Sequence, residues 1–184
     1  MKTFQIVVFL TIGVMLTRSF VITPVLVVLL LFANDFITMS ITTDRVSFSQ
    51  QPDRWHIRTL VWSSLVLSIP ILALFFAIFF YAKHTMHLSL PEIQTLVFLM
   101  LVFTGQGTVY MVRERKNFWH SRPSNWLLGS TIIDIIVICF MAWEGILMSP
   151  LTPSVIFGTL TLIAGFLFLL DFLKIRIFRY YHVH

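Results

Sequence analysis

Six long apolar blocks limit the fold of this 184-residue chain more than any other feature. A helix needs ~20 mostly apolar residues to cross ~30 Å of hydrocarbon, and every backbone polar group in lipid must be paired internally. The blocks show no alternation of polar and apolar residues, so we expect helices and not the strands of a barrel. The predicted spans are residues 4–16, 20–41, 60–81, 93–112, 126–145 and 155–173.

The composition agrees with a membrane protein. Hydrophobic residues make up 58% of the chain and charged residues 11%, well below the roughly 25% typical of soluble domains. Outside the spans too little chain remains for a soluble catalytic domain, and no phosphate loop, HExxH or GxSxG motif is present. The sequence therefore predicts an all-α polytopic membrane protein, with residues 1–184 forming a single bundle of six transmembrane helices.

The positive charges predict how this bundle is oriented. Of the 13 Lys and Arg residues, only Arg18 and Lys83 fall on the side of the membrane opposite the two termini. Because Lys and Arg accumulate in cytoplasmic loops, we expect both termini to be cytoplasmic. The net charge of +5 is then explained by orientation and by contact with anionic lipid, and no nucleic-acid partner is expected.

The first block is short and follows Lys2 directly. A positive residue before a 13-residue apolar stretch is also typical of a signal peptide. However, residues 17–20, Thr-Arg-Ser-Phe, contain no small-residue cleavage site. We therefore favour a helix whose cytoplasmic end has been cut off.

Asp35 is the most informative polar residue inside a predicted span. A charge in the bilayer costs at least ~2.5–3.5 kcal/mol on insertion scales, so it is a functional candidate by default. Asn34 precedes it, and Thr38 follows three residues later on the same helical face. This group of oxygens can hold a hard cation or carry a proton, but it can equally hydrogen-bond neighbouring helices together. Chemistry alone leaves both roles open.

Other polar residues in the spans favour structural roles. Gln106 lies between Gly105 and Gly107, and these glycines allow another helix to approach closely. Asp134 can bridge to a neighbouring helix or belong to a proton relay, and we favour the bridge. Asp171 is close to the end of its span, so we expect it to be an interfacial charge that water reaches.

Metal ligands are sparse. His84 and His87 have a metal-like spacing but lack a third ligand. Cys139 is the only cysteine, which excludes an intramolecular disulfide and a cysteine-based metal cluster. We therefore predict no metal site.

One stretch resembles a known family. Residues 34–46 read NDFITMSITTDRV and are followed by Pro-Asp-Arg-Trp at 52–55. Both elements resemble the sixth membrane helix, and the loop after it, of P-type cation ATPases, and the plasma-membrane proton pumps look most similar. Residues 105–107 and 113–123 resemble the eighth helix and its cytoplasmic exit. The six spans thus resemble the last six helices of that family.

The resemblance implies roles for several residues. In the family, the Asp of the Asn-Asp pair is the central proton acceptor and donor of the transport path, which by position is Asp35 beside Asn34. Thr38, Gln106 and Asp134 are candidates for a secondary part of the path. A proton is favoured as the cation, because a calcium site needs several oxygen ligands and usually more than one carboxylate.

The departures from the family are as important as the matches. The phosphorylated D-K-T-G-T sequence, the T-G-E loop, the nucleotide-binding domain and the first four helices have no counterpart here. ATP and Mg²⁺ would bind to those domains, so we expect no catalytic residue, no cofactor and no autonomous ATPase in this chain. It would act in the plasma membrane with the remaining part of a pump. The alternatives are a small channel or accessory subunit that reuses the fold, or a truncated fragment without function.

Overall fold

A computed structural model describes residues 2–41, 57–113 and 123–180 of the chain. The described residues form helices joined by short turns, which confirms the predicted all-α fold. The helices are α1 (Lys2–Thr17), α2 (Pro24–Ile41), α3 (Ile57–His84), α4 (Leu90–Arg113), α5 (Asn125–Glu144) and α6 (Pro153–Tyr180).

Four of these helices, α3 to α6, are long and apolar enough to cross a membrane. The other two are shorter apolar helices, with 16 residues in α1 and 18 in α2. The second helix begins at Pro24 and not at the predicted residue 20, because the chain turns first. Arg18 has a φ of 53°, and the Thr17 hydroxyl donates to the Ser19 carbonyl at 2.9 Å. Proline then suits the first helical position, where its missing N–H is not needed.

Local sequence signals start two of the long helices. At α4 the N–H and hydroxyl of Ser89 donate to the Glu92 carboxylate at 2.7 and 2.5 Å, which is a capping box. At α5 the Ser124 hydroxyl accepts from the N–H of Leu127 at 3.1 Å. Gly145 ends α5 in the left-handed conformation, with a φ of 73°.

The fourth helix lies at the centre of the bundle. In its most apolar stretch of 18 residues, 78% is buried inside the bundle, compared with 28–39% for the other three long helices. Helices α2, α3, α5 and α6 all contact it, while α1 packs mainly on α3. The α1–α3 contact is aromatic, and the ring centroid of Phe9 lies 5.2 Å from those of both Phe75 and Phe76.

The turns show that the helices alternate in direction. Near the start of α4, the Gln94 amide donates to the Phe20 carbonyl at 2.6 Å and the Thr95 hydroxyl to the Ser149 carbonyl at 3.0 Å. The α1–α2, α3–α4 and α5–α6 turns therefore share one end of the bundle, which we call the Ser89 end. Helices α1, α3 and α5 begin at the other end, the Lys2 end.

The outer surface is apolar. On α5, Ile132, Ile133 and Ile136 are between 55% and 61% exposed, and Trp126 is 77% exposed. Such contiguous exposed apolar surface is unfavourable in water and matches a hydrocarbon environment. The chain is an integral membrane protein.

Candidate functional site

Three helices meet around Asn34. The Lys2 ammonium of α1 donates to the Asn34 side-chain oxygen of α2 at 2.6 Å. Both side chains lie over Gly105 of α4, where a Cβ atom would come within 2.8 Å of the Lys2 Cε and 3.2 Å of the Asn34 Oδ1. A larger residue at 105 would have to displace the end of the Lys2 side chain, so the glycine lets Lys2 and Asn34 approach this face of α4 closely.

The next residue along α4 makes the second polar contact. Gln106 is 2% exposed, and its amide Nε2 donates to the Oδ2 of Asp134 on α5. The structure thus contains the helix-to-helix bridge that we favoured for Asp134. Among the described residues, the Gln106 Oε1 has no hydrogen-bond partner.

Two further buried polar side chains lie within one turn of these contacts. Gln5 and Thr104 are each 2% exposed, and in the described part of the chain Gln5 Nε2 and Thr104 Oγ1 lack a hydrogen-bond partner. A buried amide or hydroxyl without a partner costs free energy unless water or a bound group satisfies it. We call the whole set the polar layer, and its members are Lys2, Gln5, Asn34, Thr104, Gln106 and Asp134.

Among the described residues, the polar layer lacks the ligand set that a calcium ion requires. Calcium takes 6–8 oxygen ligands, and the Asn34 oxygen here is already bound to an ammonium. Within the described residues, no three His, Cys, Asp or Glu side chains lie close enough to hold a metal. The Gln5 amide and the Thr104 hydroxyl can form hydrogen bonds, and the Asp134 carboxylate can bind and release a proton.

Asp35 lies on the opposite side of α2 from the core. Leu30 and Ile37 face inward and are 4% and 0% exposed. Asp35 is exposed, and its neighbours on this side are Phe32 and Met39, which are 70% and 72% exposed. We call these three residues the outer face of α2.

Thr38 is also exposed, and its hydroxyl donates to the backbone carbonyl of Asn34 at 2.7 Å. The Thr38 hydroxyl is therefore already hydrogen-bonded within its own helix. The structure brings Asn34, Gln106 and Asp134 into the polar layer, but it does not bring Asp35 or Thr38 there.

A groove of about 340 Å³ runs between α2 and α5, a size at the small end of ligand pockets. Its walls are apolar and include Phe36 and Val137, and Asp134 contributes the only carboxylate among the lining residues. Asp134 can therefore be reached from the side of the bundle as well as from the polar layer.

A buried ion pair near the Lys2 end was missed by the sequence reasoning. Asp171 and Lys174 are both 0% exposed, and the Lys174 Nζ lies 2.6 Å from the Asp171 Oδ1. The expectation that water reaches Asp171 was wrong, because α6 packs this face against α4. Opposite charges three residues apart near the end of a span were the available signal.

Lys2 and Gln5 were missed as well. Both come at the start of the short first block, where a lone positive residue is usually an orientation signal. The loop parts of the family resemblance, at residues 42–46, 52–55 and 114–122, fall outside the described residues.

Comparison with known proteins gives relatives of one kind. No family model matches the chain. A provisionally named cation-transporting ATPase from Methanocaldococcus jannaschii is 32% identical over 155 residues, which cover 82% of this chain and 19% of that protein. The chain is related to the P-type cation-transporting ATPases.

Plasma membrane ATPases are also similar to this chain. Those of Kluyveromyces lactis and Neurospora crassa are 30% and 29% identical, and each match covers 64% of this chain and 14% of the relative. The family resemblance seen in the sequence is thereby confirmed. The chain spans less than a fifth of the length of these relatives, and its apolar helices identify it with a transmembrane part of a P-type ATPase.

Proposed function

We propose that this chain is the ion-translocating transmembrane domain of a P-type cation pump, and that Asp35 with Asn34 binds the transported cation. The observation that carries the proposal is the arrangement of these two adjacent residues. Asn34 turns inward to Lys2 and the polar layer, while the Asp35 carboxylate turns outward among apolar side chains.

The outward position of Asp35 supports a site between this chain and further protein. An ionised carboxylate facing hydrocarbon costs at least ~2.5–3.5 kcal/mol, so lipid alone is an unfavourable neighbour. In the resembled pumps, four helices precede these six. We propose that this remaining part packs on the outer face of α2 and completes the site around Asp35.

The proposed cation is a proton. The described residues offer Asp35 no second carboxylate, and Lys2 already supplies a positive charge to its neighbour Asn34. A carboxyl group can bind and release a proton without the many ligands that a metal ion requires. Gln106, Asp134 and the exposed Thr38 form the proposed secondary part of the path.

We further propose that the Lys2 end faces the cytoplasm and that the membrane is the plasma membrane. The excess of basic residues at this end supports that orientation. ATP hydrolysis, with its Mg²⁺ requirement, would be carried out by cytoplasmic domains outside this chain.

The test is proton transport by the assembled pump. The chain is produced together with the polypeptide that carries the D-K-T-G-T sequence, and ATP-driven acidification of vesicles is measured with a pH-sensitive dye. Asp35→Asn should abolish acidification while the complex still assembles. Glu144→Gln is the matched control, because Glu144 is exposed at the Ser89 end of α5.

Two results would contradict the proposal. Wild-type acidification by Asp35→Asn would remove Asp35 from the transport path. Ion conduction by the chain alone, without ATP and without a second polypeptide, would instead support the small-channel alternative.

A further inference from the structure

Helix α6 holds the last turn of α4 through a buried ammonium group. The Lys174 Nζ donates to the backbone carbonyl of Met111 at 2.9 Å. In the described part of the chain α4 runs to Arg113, so this carbonyl lies in the last described turn of the helix.

Asp171 makes this arrangement possible. It lies on the same face of α6 as Lys174 and pairs with it at 2.6 Å, with both side chains fully buried. Two apolar residues would fill this space at no greater cost than a buried ion pair. What the ion pair adds is a directed hydrogen bond from α6 to one particular carbonyl of α4.

A second contact between the same helices lies one turn away. A Cβ atom at Gly107 of α4 would overlap the Leu167 side chain of α6. Gly107 and Met111 are four residues apart, or about 6 Å along the helix axis. We call these two contacts the α4–α6 seam, and both oppose sliding and rotation of α4 against α6.

Gln106 is next to the seam in sequence but faces α5, where its amide meets Asp134. Sliding α4 by one residue moves it by about 1.5 Å, and one residue corresponds to a rotation of about 100°. A short amide side chain cannot follow a displacement of that size and keep its hydrogen bond. The seam therefore determines whether Gln106 reaches Asp134.

We propose that Lys174 and Asp171 are positioning residues: by holding the Met111 carbonyl they keep the Gln106 amide on the Asp134 carboxylate. The consequence for transport rests on the proposed function, whereas the effect on the Gln106–Asp134 contact does not.

The experiment measures how fast Asp134 is modified in the full chain, reconstituted in lipid nanodiscs at a single pH. Dicyclohexylcarbodiimide reacts with protonated carboxyl groups in apolar surroundings, and the groove beside Asp134 gives it access. The modified fraction at Asp134 is followed by mass spectrometry of peptides. Loss of the Gln106 hydrogen bond leaves the Oδ2 oxygen open to protonation and to the reagent.

Four variants isolate the contribution of the seam. Gln106→Leu should be labelled about ten-fold faster than the wild type, because it loses a hydrogen bond to a carboxylate. The apolar double variant Asp171→Leu/Lys174→Met should be labelled faster to a similar extent, and adding Gln106→Leu to it should bring no further increase. Asp171→Asn/Lys174→Gln keeps an amide donor for the Met111 carbonyl and should be labelled at the wild-type rate.

The proposal is overturned if the apolar double variant is labelled at the wild-type rate, since the ion pair would then only fill space. It is equally overturned if Gln106→Leu leaves the rate unchanged.

Should the apolar double variant fail to enter nanodiscs, Gly107→Ala decides, with Gly158→Ala as its control because a Cβ at 158 meets nothing within 4 Å. Faster labelling of Gly107→Ala alone supports the proposal, and equal rates overturn it. None of these measurements uses ATP, so their failure leaves the assignment of Asp35 to be tested separately.

Discussion

The α4–α6 seam and the outer face of α2 differ in the environment of a carboxylate, which is buried in the first and exposed in the second. In the seam, Asp171 is fully buried and pairs with an equally buried lysine. On the outer face of α2, Asp35 is exposed between Phe32 and Met39. In the seam, an ion pair within the chain therefore offsets the cost of an intramembrane charge. On the outer face of α2, this cost depends on what surrounds the chain.

This difference distinguishes two roles that a polar residue can have inside a membrane helix. A charge that finds its partner within the chain contributes to the folding of the bundle. A charge that points away from the bundle depends on its surroundings outside the described chain. Mutations in the two regions should accordingly change stability in opposite directions.

The largest effect is expected from breaking the ion pair in the seam. Lys174→Met removes the ammonium that pairs with the buried Asp171 carboxylate and should lower the free energy of unfolding by about 3–5 kcal/mol. Titration with sodium dodecyl sulfate in mixed micelles measures this change. The double variant Asp171→Leu/Lys174→Met should recover most of the loss, and a single variant as stable as the wild type would show that the pair is not needed.

A change of opposite sign is expected on the outer face of α2. Asp35→Leu replaces an exposed carboxylate with an apolar side chain, and in the isolated chain it should favour membrane insertion by about 2.5–3.5 kcal/mol. Glycosylation-based insertion assays on α2 report this free energy. A loss of insertion or stability would mean that Asp35 has a partner within the chain, which would remove the contrast between the two regions.

A smaller loss is expected from crowding the seam without changing its charges. Gly107→Ala places a methyl group against Leu167 and should cost about 1–3 kcal/mol of unfolding free energy. Gly158→Ala on the open side of α6 is the control and should not destabilise. Combining Gly107→Ala with Leu167→Ala should cost less than the sum of the two single changes, because the second change removes the clash caused by the first.

The smallest effect is expected at the boundary between the regions. Asn34→Ala removes the oxygen that Lys2 contacts, and the loss should be only about 1 kcal/mol, since the long lysine side chain can turn toward lipid headgroups. Thermal unfolding in detergent measures it, with Ser40→Ala on the same helix as control. If Asn34→Ala lowered the unfolding free energy as much as Lys174→Met, Asn34 would be needed for the stability of the bundle.

Much of the fold could be predicted because apolar length alone identifies membrane helices. The start of α2 could not, since Phe20, Val21 and Ile22 continue the apolar block while the backbone still turns. Hydrophobicity does not distinguish a residue facing lipid from one facing another helix, and so it marks no boundary there.

The residues of the candidate site were predicted more completely than their surroundings. Asp35 and Asn34 stood out as polar residues in an apolar span, but α2 is apolar on both sides, and its sequence does not indicate which side is buried. Lys2 resembled an ordinary orientation signal, and only the structure shows that its side chain lies over Gly105 and reaches Asn34. Asp171 was wrongly expected to meet water because distance from the span end says nothing about a neighbouring helix.

The central position of α4 also affects how the protein is made. Of the four long helices it is the least hydropathic and the most buried, so it is the poorest candidate to enter a bilayer unaided. Its partner Lys174 is synthesised 63 residues after Met111. We therefore expect α4 to depend on contacts with the earlier helices until α6 has been synthesised and packs against it.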